Sequence, residues 1–133
     1  MRSMYTYIEQ APAIARDIIA HREALAGPLV EQFCGMAPKR LLIVASGSSY
    51  DIAMSMRPFM QQTLGIEVSV EWPMSYILYN HAQNDETFVL CMSQSGRSTN
   101  TIEAVRRAQA CGHHVAVLTC NPDAPMREYC EHV

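Results

Sequence analysis

The tightest constraint in this sequence is a set of short, unbroken apolar runs. Leu41 to Ala45 reads "LLIVA" and is closed by Ser46-Gly47, and Thr87 to Met92 and Val115 to Thr119 are similar runs, "TFVLCM" and "VAVLT". A strand with one wet face alternates apolar and polar residues. A run without that alternation fits a strand buried on both faces, as in a parallel sheet covered by helices. Such strands demand helices on either side.

The intervening segments can supply them. Asp51 to Leu64 has helical composition and is stopped by Gly65; Ile66 to Glu71, "IEVSVE", alternates as a strand. Met74 to Asn80 predicts a short helix, Thr99 to Ala110 a helix closed by Gly112, and Pro125 to Tyr129 a last short helix after the Asn121-Pro122 turn. Upstream, Ile14, Ile18, Leu25, Leu29 and Phe33 recur at near-helical spacing. Pro12 suits a first turn, and Gly27-Pro28 is expected to divide the segment into two helices, the second ending near Gly35. The expected class is therefore α/β: a mostly parallel sheet with helices on both faces, preceded by N-terminal helices. Residues 1–36 form the helical segment and 37–133 the α/β domain. The tail "REYCEHV" reads as a helix end plus the start of another strand, so the domain is expected to lack its last strand, with that edge covered by further chain or a partner.

Bulk properties narrow the function. A chain of 133 residues, 49% hydrophobic and 17% charged, suits one globular domain with a real core. A net charge of −3, with Arg106-Arg107 as the longest basic run, argues against nucleic acid. No apolar run approaches the roughly 18–20 residues of a membrane span, and "MRSMYTYIEQ" lacks a signal-peptide core. Five cysteines without a C-x-x-C spacing fit a reduced cytoplasm. The spacings of Cys and His113-His114 are wrong for structural zinc, so no metal and no other cofactor is expected.

Two hydroxyl-rich loops follow the apolar strands: "SGSSYD", Ser46 to Asp51, and "SQSGRST", Ser93 to Thr99. In open parallel sheets ligands bind beyond the carboxyl ends of strands, where the strand order reverses. With an order 2-1-3-4, both loops would line one crevice. Helix N-termini offer unpaired N–H groups, small hydroxyls add donors without bulk, and Gly47 and Gly96 allow close approach. That chemistry suits a phosphate monoester. Neither a G-x-x-x-x-G-K-[ST] nor a G-x-G-x-x-G pattern is present, which argues against nucleotides. The alternative stays open that Ser98 or Thr99, and Ser48 or Ser49, are simple helix caps, and capping and anion binding use the same N–H groups.

"SGSSYD" together with "SQSGRSTNTIEA" resembles the sugar isomerase (SIS) domain, most closely the isomerase half of glucosamine-6-phosphate synthase and its relatives. That half carries C-G-T-S-Y and S-Q-S-G-E-T-A-D-T loops, and "YIEQAPAIARD" is similar to its opening E-Q-P segment. The resemblance implies a flavodoxin-like three-layer αβα sandwich that binds a phosphorylated sugar. It implies that Ser93, Gln94, Ser95 and Ser98 hold the phosphate. Ser48 and Ser49 would touch sugar or phosphate from the other loop, with Gly47 giving clearance. The chain would then be the N-terminal half of an aldose–ketose isomerase, deaminase or deglycase acting on an amino-sugar phosphate. The catalytic Glu, His and Lys of such enzymes have no counterpart here and are expected beyond Val133. By the same resemblance the protein is expected to be a homodimer or higher homo-oligomer, while the charge and the lack of a long apolar run lead to the expectation of no nucleic-acid and no membrane partner. A non-catalytic sugar-phosphate sensor is the alternative.

The pattern departs from the family at Ser46 (for Cys), Arg97 (for Glu) and Asn100 (for Asp). Glu103 and Arg97 are read as facing solvent, His81 as a loop histidine, and Trp72-Pro73 as packing.

Overall fold

Every residue from Leu41 to Ala45 is buried, and successive side chains enter two different cores. The structure, a computed structural model, describes residues 3–79 and 86–130. Its strands are β1 (Arg40–Ala45), β2 (Glu67–Glu71), β3 (Thr87–Met92) and β4 (His114–Leu118), in the order β2-β1-β3-β4 with every pairing parallel. Leu41 and Ile43 point to one face with Val68, Phe88 and Ala116. Leu42 and Val44 point to the other with Val89, Cys91, Val115 and Val117. Burying each of the larger side chains stabilises the fold by roughly 1.5–3 kcal/mol, which is why runs without polar positions end up at the centre of the sheet.

Helices cover both faces. α1 (Met4–Ala20) and α2 (Arg22–Met36) precede the sheet, and α3 (Ser48–Leu64) joins β1 to β2. Phe33 of α2 and Ala53 and Met60 of α3 pack on the first face, with Phe33 edge-on to Phe88 at 5.2 Å between ring centroids. α4 (Pro73–Tyr79) and α5 (Thr99–Ala110) cover the second face through Tyr76, Ile77, Ala104, Val105 and Ala108. The flavodoxin-like α/β class expected from the sequence is the one observed. No helix among the described residues is long and apolar enough to cross a membrane.

Local expectations fail where proline was weighed too heavily. The N-terminal helices part at His21, not at Gly27-Pro28. The backbone N–H and ring Nδ1 of His21 both donate to the Asp17 carbonyl and close α1 there. Pro28 lies inside α2, where both it and Ala24, whose carbonyl it cannot bond, are exposed. Water can satisfy that carbonyl, which lowers the usual cost of an interior proline. Pro12 likewise lies well inside α1 and not in a first turn, and Pro58 sits inside α3. α3 begins at Ser48, so Ser48 and Ser49 are helical and not loop residues. The last short helix, Pro125–Tyr129, is a 3-10 turn.

His113 and Tyr76 tie β4 to α4. The Tyr76 hydroxyl lies 2.9 Å from His113 Nδ1, and both residues are buried. Burial pushes the Tyr76 phenol well above its ordinary range, so it stays protonated. Removing one partner of a buried pair costs about 1–3 kcal/mol. Tyr76→Phe is therefore expected to lower stability in urea unfolding by that amount, leaving the unfolding cooperative.

Candidate functional site

β1 and β3 are paired in register through Ala45 and Met92, so the segments that follow them leave the sheet at one level. The chain after β1 runs to β2 on one side, and the chain after β3 runs to β4 on the other. α3 and α5 consequently lie on opposite faces, and a cleft of about 330 Å³ opens between the N-terminal end of α3 and the carboxyl ends of β3 and β4. Ser48 and Ser49 line it from α3, Ser93 and Gln94 from the end of β3, and Thr119 and Cys120 from the end of β4. Ile52, Met92 and Leu118 supply apolar lining. Gly47 and Ser95 are neighbours of lining residues along the chain but do not line the cleft themselves, and Ser98, four residues beyond Gln94, does not line it either.

The turn after β3 has a definite internal wiring. Ser93 is 7% exposed, and its Oγ accepts from the Gly96 N–H at 3.2 Å. Ser95 Oγ accepts from the Arg97 N–H at 3.3 Å. Ser98 is the N-cap of α5: its Oγ accepts from the Thr101 N–H at 3.4 Å and from Thr101 Oγ1 at 3.0 Å. The capping role weighed for Ser98 is thus present, whereas α3 is preceded by Gly47 with no side-chain cap. A hydroxyl has one hydrogen to donate besides its accepting lone pairs. All three serines accept from N–H or O–H groups of the turn and of α5's first turn, bonds that do not use their own hydrogens.

Two glycines make the geometry possible. Gly47 (φ 57°, ψ −138°) occupies backbone space that is essentially reserved for glycine. Gly96 has φ 64°, and a Cβ there would stand 2.2 Å from the Ala124 Cβ. The turn is backed by the segment after β4, a contribution that the sequence reading missed. The Gln94 carbonyl accepts from the Cys120 N–H at 3.1 Å, and the Gly96 carbonyl accepts from the Met126 N–H at 3.2 Å. The available signal is Asn121-Pro122 at the carboxyl end of a buried strand, but the apolar run extends the expected strand through Thr119. β4 ends at Leu118.

The remaining candidates sit elsewhere. Glu103 is exposed and 3.5 Å from Arg106 of the same helix, and Arg97 is exposed. Trp72 packs, but as a half-exposed ring stacked on Tyr50 with centroids 4.6 Å apart, beside the start of α3. His81 lies outside the described residues. Burial pushes the Cys91 thiol up, with Cys130 adding to the shift, so Cys91 is an unreactive core residue. Among the described residues no three His, Cys, Asp or Glu side chains converge as a metal site.

An open parallel sheet with a hydroxyl-lined cleft where its strand order reverses defines a doubly wound α/β domain with a ligand crevice at the switch point. The chain belongs to the SIS domain family, whose model matches residues 37–133. It is 27% identical over 125 residues to the glutamine–fructose-6-phosphate aminotransferase (isomerizing) of Methanothermobacter thermautotrophicus, covering 94% of this chain and 21% of that protein. Other such aminotransferases match at 32% identity over shorter stretches, and the chain spans 13–14% of their length. Among solved structures, a protein of Clostridium difficile 630 assigned as a phosphosugar isomerase superposes with a TM-score of 0.88 at 24% identity, covering 100% of this chain and 37% of that one. The C-terminal domain of glucosamine-fructose-6-phosphate aminotransferase from Francisella tularensis superposes with a TM-score of 0.66 at 21% identity, covering 71% of this chain and 27% of that one. At such identities the superpositions speak to the fold.

Gly96→Ala combines a left-handed backbone with a steric overlap against Ala124. It is expected to destabilise the protein by roughly 2–4 kcal/mol. Gly47→Ala, where the space is open, carries only the backbone strain of about 1–3 kcal/mol. Thermal unfolding of the two variants side by side checks the order.

Proposed function

We propose that this chain binds a sugar phosphate in the cleft between the start of α3 and the carboxyl ends of β3 and β4, with the phosphate held by the turn after β3. The observation that carries this reading is the wiring of Ser93, Ser95 and Ser98, whose hydroxyls accept within the turn and α5's first turn and retain their hydrogens for an outside oxygen cluster. The first N–H groups of α5 add donors with the positive end of the helix dipole. Of the three serines Ser93 lines the cleft, together with Gln94 and the α3 residues Ser48 and Ser49, with Gly47 giving backbone clearance to the sugar. Neutral donors of this kind bind a dianion by geometry more than by net charge, which agrees with a chain of net charge −3. Family membership and relatives named for fructose-6-phosphate chemistry support a hexose 6-phosphate or its amino derivative.

In the reaction class we propose, an aldose–ketose isomerase, deaminase or deglycase, the phosphate is a handle. Binding energy from the handle fixes the position of C1 and C2, between which a proton moves through an enediol or enolamine. No described residue of the cleft is assigned as the acid or base, since its lining consists of hydroxyl, amide, thiol and apolar side chains. The catalytic groups are proposed to come from outside residues 1–133, so this chain by itself is expected to bind without turning over.

We further propose that the protein works as a homo-oligomer. α1 buries none of its residues and exposes Met4, Ile8, Ile14 and Ile18. Phe59 of α3 is also exposed, and apolar surface of this extent marks protein contacts. Light scattering coupled to size exclusion is expected to give at least a dimer, and a strictly monomeric mass at high micromolar concentration contradicts this.

The binding reading is tested by calorimetry with glucose 6-phosphate, glucosamine 6-phosphate and fructose 6-phosphate, with glucose as the control. At least one phosphate ester is expected to bind at micromolar to millimolar concentration, and glucose is not. Ser95→Ala combined with Ser98→Ala is expected to weaken that binding by about tenfold or more. Binding of glucose as tight as that of its phosphate, or no effect of the double substitution, removes the assignment.

A further inference from the structure

The segment after β4 touches the serine turn through side chains as well as backbone. Thr119 Oγ1 donates to the Gln94 carbonyl at 3.3 Å and accepts from the Asn121 N–H at 3.3 Å. Asn121 Nδ2 donates to the Ser95 carbonyl at 3.3 Å, while its Oδ1 accepts from the Asp123 N–H at 3.1 Å. That second bond fixes which end of the amide faces the turn. Together with the Met126 N–H on Gly96, three consecutive carbonyls, those of Gln94, Ser95 and Gly96, are all held by residues 119–126.

Peptide planarity gives this arrangement a consequence. In a trans peptide the N–H of one residue points opposite to the carbonyl before it. Clamping the Gln94 carbonyl to Thr119 and Cys120 therefore aims the Ser95 N–H away from the β4 segment. The next two N–H groups, of Gly96 and Arg97, are spent inside the turn on Ser93 and Ser95. The Ser95 N–H is left as a donor whose direction the clamp decides, beside the hydroxyls that share that need.

We propose that Thr119 and Asn121 are positioning residues, whose hydrogen bonds to the Gln94 and Ser95 carbonyls hold the Ser93–Gly96 turn in its anion-binding shape before a ligand arrives. The proposal rests on the reading of that turn as the phosphate grip. Neither residue need touch the phosphate. Their contribution is to spare the ligand the ordering of a four-residue turn, whose backbone freedom costs on the order of 1 kcal/mol per residue to remove.

The test compares wild type, Thr119→Val and Thr119→Ser. Valine keeps the shape and removes both hydrogen bonds of the hydroxyl; serine restores the hydroxyl. Glucose 6-phosphate affinity is measured by calorimetry, and amide hydrogen exchange is followed by NMR without ligand at Gly96 and at the core residue Val89. Thr119→Val is expected to weaken binding about tenfold, the loss of one hydrogen-bonded constraint. It is also expected to speed Gly96 exchange at least severalfold while Val89 stays protected, and Thr119→Ser is expected to return both close to wild type. Unchanged affinity in Thr119→Val overturns the proposal. So does a Gly96 exchange rate that rises only in step with Val89, because the change is then global. If wild type binds no sugar phosphate, the phosphate reading fails on its own. Exchange at Gly96 then decides alone whether the clamp exists, and an unchanged rate overturns it.

Discussion

The parallel pairing of β1 with β3 is the interaction on which the rest of the molecule depends. Ten residues, Leu41 to Ala45 and Phe88 to Met92, place their side chains alternately on two faces at the centre of the sheet, and most of them are buried. Because Ala45 stands opposite Met92, both strands end at one height and both following segments begin there. Their continuations then diverge to β2 and β4. A register slip of one residue would turn each apolar set to the wrong face. It would also offset Ser48 from Ser93, and the cleft would no longer have two hydroxyl walls.

The site itself shows how a turn can serve stability and binding with the same atoms. A serine that accepts from an N–H three residues on satisfies a donor the fold must satisfy anyway. That bond does not use its own hydrogen. Ser98 does this as an N-cap and Ser93 does it around Gly96, so the capping and anion-binding interpretations describe one geometry. The arrangement also needs a tight turn with a positive φ at Gly96, packed directly against Ala124.

The sequence was most legible where one local force dominates. Continuous apolar runs identified β1 and β3, and Thr99–Ala110 was bounded correctly because Ser98 caps it and Gly112 ends it. It was least legible at the N-terminal helices. Pro28 was read as a breaker, yet it lies in α2 where the carbonyl it leaves unbonded is on an exposed residue, and the actual break at His21 comes from a histidine bonding back to Asp17. Ser48 and Ser49 belong by pattern to the hydroxyl-rich segment between strand and helix, or to the helix cap, yet they form the first turn of α3, with Gly47 at the N-cap.

The sequence alone determined the parallel α/β class and the two hydroxyl segments, since each follows from periodicity, punctuation and motif within about ten neighbouring residues, whereas the order of the strands came from the structure. Tertiary structure decided which hydroxyls share a cleft, that Ser95 and Ser98 do not line it, and that Thr119 and Asn121 hold the serine turn from behind. Those contacts join residues some 25 positions apart through the pairing of β3 with β4. Local pattern carries no information about such a contact until the sheet has fixed which carboxyl ends lie side by side.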